Sequence, residues 1–135
     1  MSERARSLSR ILFTSCLVLW ACTATDQADT TRSIFDAARA GDGEQVTALL
    51  ELDSALIRVT DGDGRTPLHH AVSGGQTAVA ELLLDRGADI SAVDAQQRTP
   101  LHDAADLGDA STVALLLARG ADVSAREFRG RTPLL

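Results

Sequence analysis

The chain has 135 residues, enough for one small domain, with 44% hydrophobic and 24% charged residues, which is ordinary globular content. Aromatic residues make up only 3%, so the core must be packed from Leu, Val, Ile and Ala. The net charge of −6 argues against a nucleic-acid partner, which requires a basic face.

The first segment reads as an address rather than as structure. Arg4, Arg6 and Arg10 form a positive n-region, and Ile11 to Ala21 form an apolar stretch of h-region length, too short for a stable bilayer span. Leu19-Trp20-Ala21-Cys22 follows, then polar residues from Thr23 to Arg32. An aliphatic residue, a small residue and then Cys resemble a lipobox, with Trp20 unusual in that motif. That resemblance implies a signal peptide over residues 1–21, lipidation of Cys22 and a flexible tether over residues 22–32. With Thr rather than Asp at position 23, it also implies onward transport to the outer membrane of a bacterial envelope. Cleavage after Ala24, giving a soluble periplasmic or secreted protein, and an uncleaved anchor are the alternatives. Every basic residue is Arg, and Lys, Asn and Tyr are absent, as the codon usage of a GC-rich bacterium produces. Both cysteines, Cys16 and Cys22, fall in or at the edge of this segment, so the rest must fold without a disulfide.

Residues 33–63 open the folded part. Phe35-Asp36-Ala37-Ala38-Arg39-Ala40-Gly41-Asp42 predicts a helix and its stop, and Val46, Leu49 and Leu50 continue as a second helix. Asp36, Arg39 and Glu44 suit an outward-facing cap. Residues 64–96 and 97–129 then repeat one plan. Arg65-Thr66-Pro67-Leu68-His69 returns as Arg98-Thr99-Pro100-Leu101-His102 and begins again as Arg131-Thr132-Pro133-Leu134, each step being 33 residues. Leu82-Leu83-Leu84-x-x-Gly87-Ala88-Asp89 returns as Leu115-Leu116-Leu117-x-x-Gly120-Ala121-Asp122 at the same period. Thr66 can cap a helix with Pro67 at its first position, where the missing N–H is not needed. Gly74-Gly75 ends that helix. Val79, Leu82 and Leu83 share one face of the next, Arg86 suits its last turn, and Gly87 supplies a left-handed terminus. Ala71, Ala104 and Ala105 let the first helices pack closely. From Gly87 to Thr99 the chain reads as a turn and an extended finger. Residues 130–135 are the start of a truncated repeat.

The 33-residue period and the TPLH-x-A and LLL-x-x-G-A-D strings resemble the ankyrin repeat over roughly Arg32 to Leu135. The resemblance implies an all-α solenoid of about three repeats plus a truncated fourth, with β-turn fingers between helix pairs. Two departures stand out: Gln97 replaces the finger Gly that Gly64 and Gly130 supply, and the fourth repeat stops without its helices. About three repeats is near the minimum for stability and the third has no cap, which predicts exposure of part of the Val113–Leu117 surface and either marginal stability, a partner on that end or a truncated reading frame.

For function, the resemblance implies a protein-binding module that uses its fingers and the exposed side of each first helix. Residue by residue that gives Asp63 and Arg65 with Ser73, Gln96 and Arg98 with Asp106 and Leu107, then Arg126, Phe128 and Arg129. Arg65, Arg98 and Arg131 recur at one finger position, which suggests an acidic partner surface or simply the Arg that commonly precedes Thr-Pro in such repeats, and Phe128 is the best single anchor. His69 and His102 are expected to bond the neighbouring turn. No metal or cofactor is implied: Asp61-Gly62-Asp63-Gly64 lacks the third oxygen ligand of a calcium loop, and no H-x-x-x-H spacing exists. No nucleophile motif or phosphate loop is found, so no enzyme is expected. A periplasmic immunity or inhibitor protein, and a scaffold that self-associates at its C-terminal end, are alternative uses of the same module.

Overall fold

The computed structural model describes residues 30–133. Helix α1 covers residues 30–40. It is followed by α2 (Gly43–Leu52), a 3₁₀ helix (Ser54–Arg58), α3 (Pro67–Ser73), α4 (Thr77–Asp85), α5 (Pro100–Leu107) and α6 (Ala110–Ala118). The described residues contain no strand. The expected signal peptide and the lipidation site at Cys22 lie outside them, as do Leu134 and Leu135.

The 33-residue period builds columns through the core. Ala38, Ala71 and Ala104 are each 0% exposed, and these methyl-sized positions let the inner helices α1, α3 and α5 approach one another. Phe35, Leu68 and Leu101 form a second buried column, and Leu50, Leu83 and Leu116 a third on the outer helices. Val46 and Val79 continue to Thr112, where a hydroxyl replaces a methyl in a fully buried site. Thr112 Oγ1 is satisfied there, 2.7 Å from Thr77 Oγ1 and 2.5 Å from Asp109 Oδ2. The polar intrusion is therefore tolerated.

Capping follows the sequence. Thr66 and His69 form a reciprocal capping box with Pro67 at the first turn of α3, and Thr99 and His102 do the same for α5. Asp42 accepts from Gln45 N at the start of α2. Gly74 closes α3 with its Cα facing the Arg39 carbonyl of the preceding repeat; a Cβ there would collide with that oxygen. Arg86 lies one residue past the last turn of α4, as its C-cap.

Two features depart from expectation. Of the stretch read as a tether, residues 22–32, the last three lie in α1, and the rest lies outside the described residues. No Gly or Pro interrupts the stretch from Thr30 to Ala40, and the buried Ile34 and Phe35 anchor it to the core. The 3₁₀ helix was not foreseen. The first repeat carries Ser54 where the others carry Gly87 and Gly120, whose φ values are +93° and +90°. Without a left-handed glycine the chain leaves α2 through a tighter right-handed turn. Asp53 caps it by accepting from Ala55 N, and Leu56 and Ile57 are buried beneath it.

Candidate protein-binding surface

Each finger is a turn closed by an acidic residue. The Asp61 carboxylate accepts from the backbone N–H groups of Asp63 and Arg65, both at 2.9 Å. Asp94 accepts from those of Gln96 and Arg98 at 2.8 and 3.0 Å. Glu127 holds the same place in the third finger and reaches the Arg131 side chain instead. Asp61 Oδ2 also meets His70 Nε2 at 2.7 Å, and the His70 ring packs on Phe35 at 4.9 Å between centroids. Burial acts to raise the Asp61 pKa, but the Arg65 N–H, His70 and the Asp63 N–H outweigh it and hold the carboxyl below its ordinary value. The Asp-Gly-Asp-Gly segment is thus a structural turn that pins the first finger to the inner helices.

The fingers are linked in series. Ala95 N–H donates to the Asp63 carbonyl, and Phe128 N–H to the Gln96 carbonyl, both at 2.9 Å. The histidines add a second link. The Thr66 N–H can only donate, so His69 Nδ1 accepts it at 3.2 Å and the ring proton sits on Nε2. Nε2 then donates to the Arg98 carbonyl at 3.1 Å. His102 repeats this with Thr99 N–H and the Arg131 carbonyl. Burial of the His69 ring pushes its pKa below 6.5, and the Arg98 carbonyl and Asp103 oppose this without reversing it.

The recurrent arginines form a column, but they are not free. Asp103, on α5 and nearly buried, bridges two of them: Oδ2 lies 2.5 Å from Arg65 Nη2 and Oδ1 lies 3.2 Å from Arg98 Nη2. Arg65 also bonds Ser73, and Arg98 bonds Asp106. Glu127 Oε2 is 3.7 Å from Arg98 Nε, and its other oxygen pairs with Arg131. The result is an alternating chain, Arg65–Asp103–Arg98–Glu127–Arg131, running across the inner helices and fingers. The column is as the sequence suggested, and the fold itself supplies counter-charges to all three arginines. Arg126 and Arg129, by contrast, are exposed and join no ion pair among the described residues.

The sequence-selected residues fall into three groups. Gln96, Arg98, Phe128 and Arg129 line one cleft of about 400 Å³ between the second and third fingers, with Glu127 and Arg131. Asp63, Arg65, Gln96 and Arg98 line a smaller one of about 210 Å³ between the first and second. Ser73 and Asp106 touch the arginines from α3 and α5. Leu107, half exposed, and Arg126 line neither cleft. Phe128 is 85% exposed. Sequence reasoning missed Asp103, Glu127 and the Asp61–His70 pair. The signal for Glu127 was present: an acidic residue stands four positions before each recurrent arginine, at 61, 94 and 127.

A family profile described as ankyrin repeats (3 copies) matches residues 34–127. The chain belongs to the ankyrin-repeat family. Ankyrin repeats are protein–protein interaction modules, generally without catalytic activity of their own. Similar proteins include zygote-specific protein 3 of Chlamydomonas reinhardtii, 48% identical over 45% of this chain and 16% of that protein. A 60 kDa lysophospholipase of Mus musculus is 38% identical over 53% of this chain and 14% of its own length. A probable E3 ubiquitin-protein ligase, XBOS33, of Oryza sativa subsp. japonica is 44% identical over 42% of this chain and 11% of its own. The matched ankyrin segments thus span about a sixth or less of these relatives.

Proposed function

We propose that this ankyrin module works on the periplasmic face of a bacterial envelope, tethered there by a lipid on Cys22, and holds a protein partner against its second and third fingers. The observation that carries the binding reading is the cleft beside Phe128. A largely exposed aromatic ring flanked by Arg126 and Arg129, above a polar floor of Arg98 and Glu127, is the residue mixture that dominates interface hot spots. With the arginine column neutralised from within, the cationic contribution to a partner comes from Arg126 and Arg129. The tether reading rests on the n-region, the apolar run and the Leu19–Cys22 motif. No helix among the described residues is long and apolar enough to cross a membrane, so membrane attachment rests on the N-terminal segment.

Intact mass and membrane fractionation of the expressed full chain, with and without Cys22→Ala, test the location. A diacyl or triacyl mass on Cys22, with release of the variant from the membrane, supports the tether. Cleavage after Ala24 without lipid makes the protein a soluble periplasmic or secreted binder. Photo-crosslinking from position 128 tests the surface separately. Adducts that map to one partner surface and disappear in Arg126→Ala/Arg129→Ala support it; adducts indifferent to those changes overturn it.

A further inference from the structure

A second concavity is larger than the finger cleft. It is an open groove of about 680 Å³ between the outer helices α2 and α4. Small or aliphatic side chains, Ala48, Ala78, Val79 and Leu82, line it beside Gly41, Gly43 and Thr47, and Glu44 and Glu51 are its charged residues. No cation lines it, and neither glutamate forms an ion pair among the described residues. Seven residues at 1.5 Å each place the two glutamates about 10 Å apart along α2. The groove is therefore an apolar trough with negative charge along one side.

The third finger is its complement in both respects. Phe128 projects an apolar ring that is 85% exposed, and Arg126 and Arg129 flank it without internal counter-charges. We infer that the third finger of one copy docks into the α2/α4 groove of a second copy, Phe128 against its apolar side chains and Arg126 and Arg129 against Glu44 and Glu51. This rests on the reading of the third finger as the binding tip, and it identifies one acidic surface that tip fits. The groove belongs to the outer helices of the first two repeats and the knob to the finger of the third. The contact is head-to-tail, leaving a docked pair with one free knob and one free groove, so assembly is open-ended unless the rotation closes a ring. A docked finger is also withheld from any other partner, so self-association and partner capture compete.

The test uses charge reversal on the full chain, followed by sedimentation velocity in one detergent-containing buffer. Wild type is expected to gain mass with concentration and to lose that gain in high salt, because exposed ion pairs are screened. Arg129→Glu keeps its groove and loses its knob; Glu51→Arg keeps its knob and loses its groove. Each alone should lose the concentration-dependent mass gain, and an equimolar mixture should recover it, because the intact Arg129 meets the intact Glu51 and the two reversed positions attract each other as well. Phe128→Ala should weaken wild-type assembly at every salt concentration. A monomeric wild type, single variants that still assemble, or a mixture that stays monomeric would each overturn the inference. None of these bears on crosslinking from position 128 to a different protein, so the two readings fail separately.

Discussion

At the residue scale, Gln97 shows how strictly the finger constrains the chain. It has φ +62° and is the only non-glycine with positive φ among the described residues; Gly64 and Gly130 hold the same place at +75° and +76°. The left-handed region costs a side-chain-bearing residue about 1–2 kcal/mol, offset in part by the entropy a glycine gains in the unfolded chain. Gln97→Gly should therefore stabilise the protein by about 0.5–1 kcal/mol, seen as a rise in the thermal midpoint, whereas Gln97→Val should lower it. His69 makes a second residue-scale prediction. Its folded pKa lies below 6.5, so above pH 6.5 the ring is neutral in both states and its contribution is complete. Below pH 6.5 the unfolded chain takes up a proton that the folded ring resists, and stability falls by up to about 1.4 kcal/mol per pH unit until the folded ring also protonates. Urea midpoints should drop in that window, and His69→Gln, which keeps a capping side chain, should remove the drop.

At the element scale, the ion-pair chain across the inner helices joins the second and third repeats. Asp103 is the shared carboxylate, with 7% of its side chain exposed. Asp103→Asn leaves Arg65 and Arg98 without their common counter-charge. Removing one partner of a buried pair costs about 3–5 kcal/mol; here both arginines retain about a fifth of their exposure, so a loss of about 2 kcal/mol is expected, measured by chemical unfolding. This network also marks where the sequence stopped being readable. The helices were legible because Thr-Pro starts, glycine stops and the 33-residue leucine columns each specify a local conformation. The arginine column was legible as a column, since Arg65, Arg98 and Arg131 share a register. Its neutralisation was not, because Asp103 comes from a helix and Glu127 from a finger, and only the fold brings them to the same guanidinium groups. The 3₁₀ helix was hidden for a related reason: Ser54 carries no turn signal, and only the missing glycine in its register betrays the change.

At the scale of the whole molecule, the repeats are too interdependent to melt one at a time. Leu83 sits at the middle of the outer-helix column, 0% exposed between Leu50 and Leu116. Leu83→Ala is expected to cost about 2–5 kcal/mol and to lower a single cooperative transition rather than divide it in two. Coincident unfolding by far-ultraviolet circular dichroism and by hydrogen exchange in α2 and α6 checks this; separated transitions would contradict it. On the C-terminal outer helix Val113 and Leu115 are half-buried and Leu117 is 38% exposed, in line with the exposure the sequence predicted there.

The links between fingers and from each histidine share one property: the acceptors are the backbone carbonyls of Asp63, Gln96, Arg98 and Arg131. Every residue has such a carbonyl, so these joints do not depend on which side chain stands there. At the exposed positions 63 and 96 in particular, the side chain can change without loosening the stack, and natural variation can explore new specificities there while heredity keeps the scaffold. Duplication or loss of one 33-residue unit would likewise leave each remaining joint a matching oxygen, which makes the array a form that lineages can lengthen, shorten and re-aim at little cost.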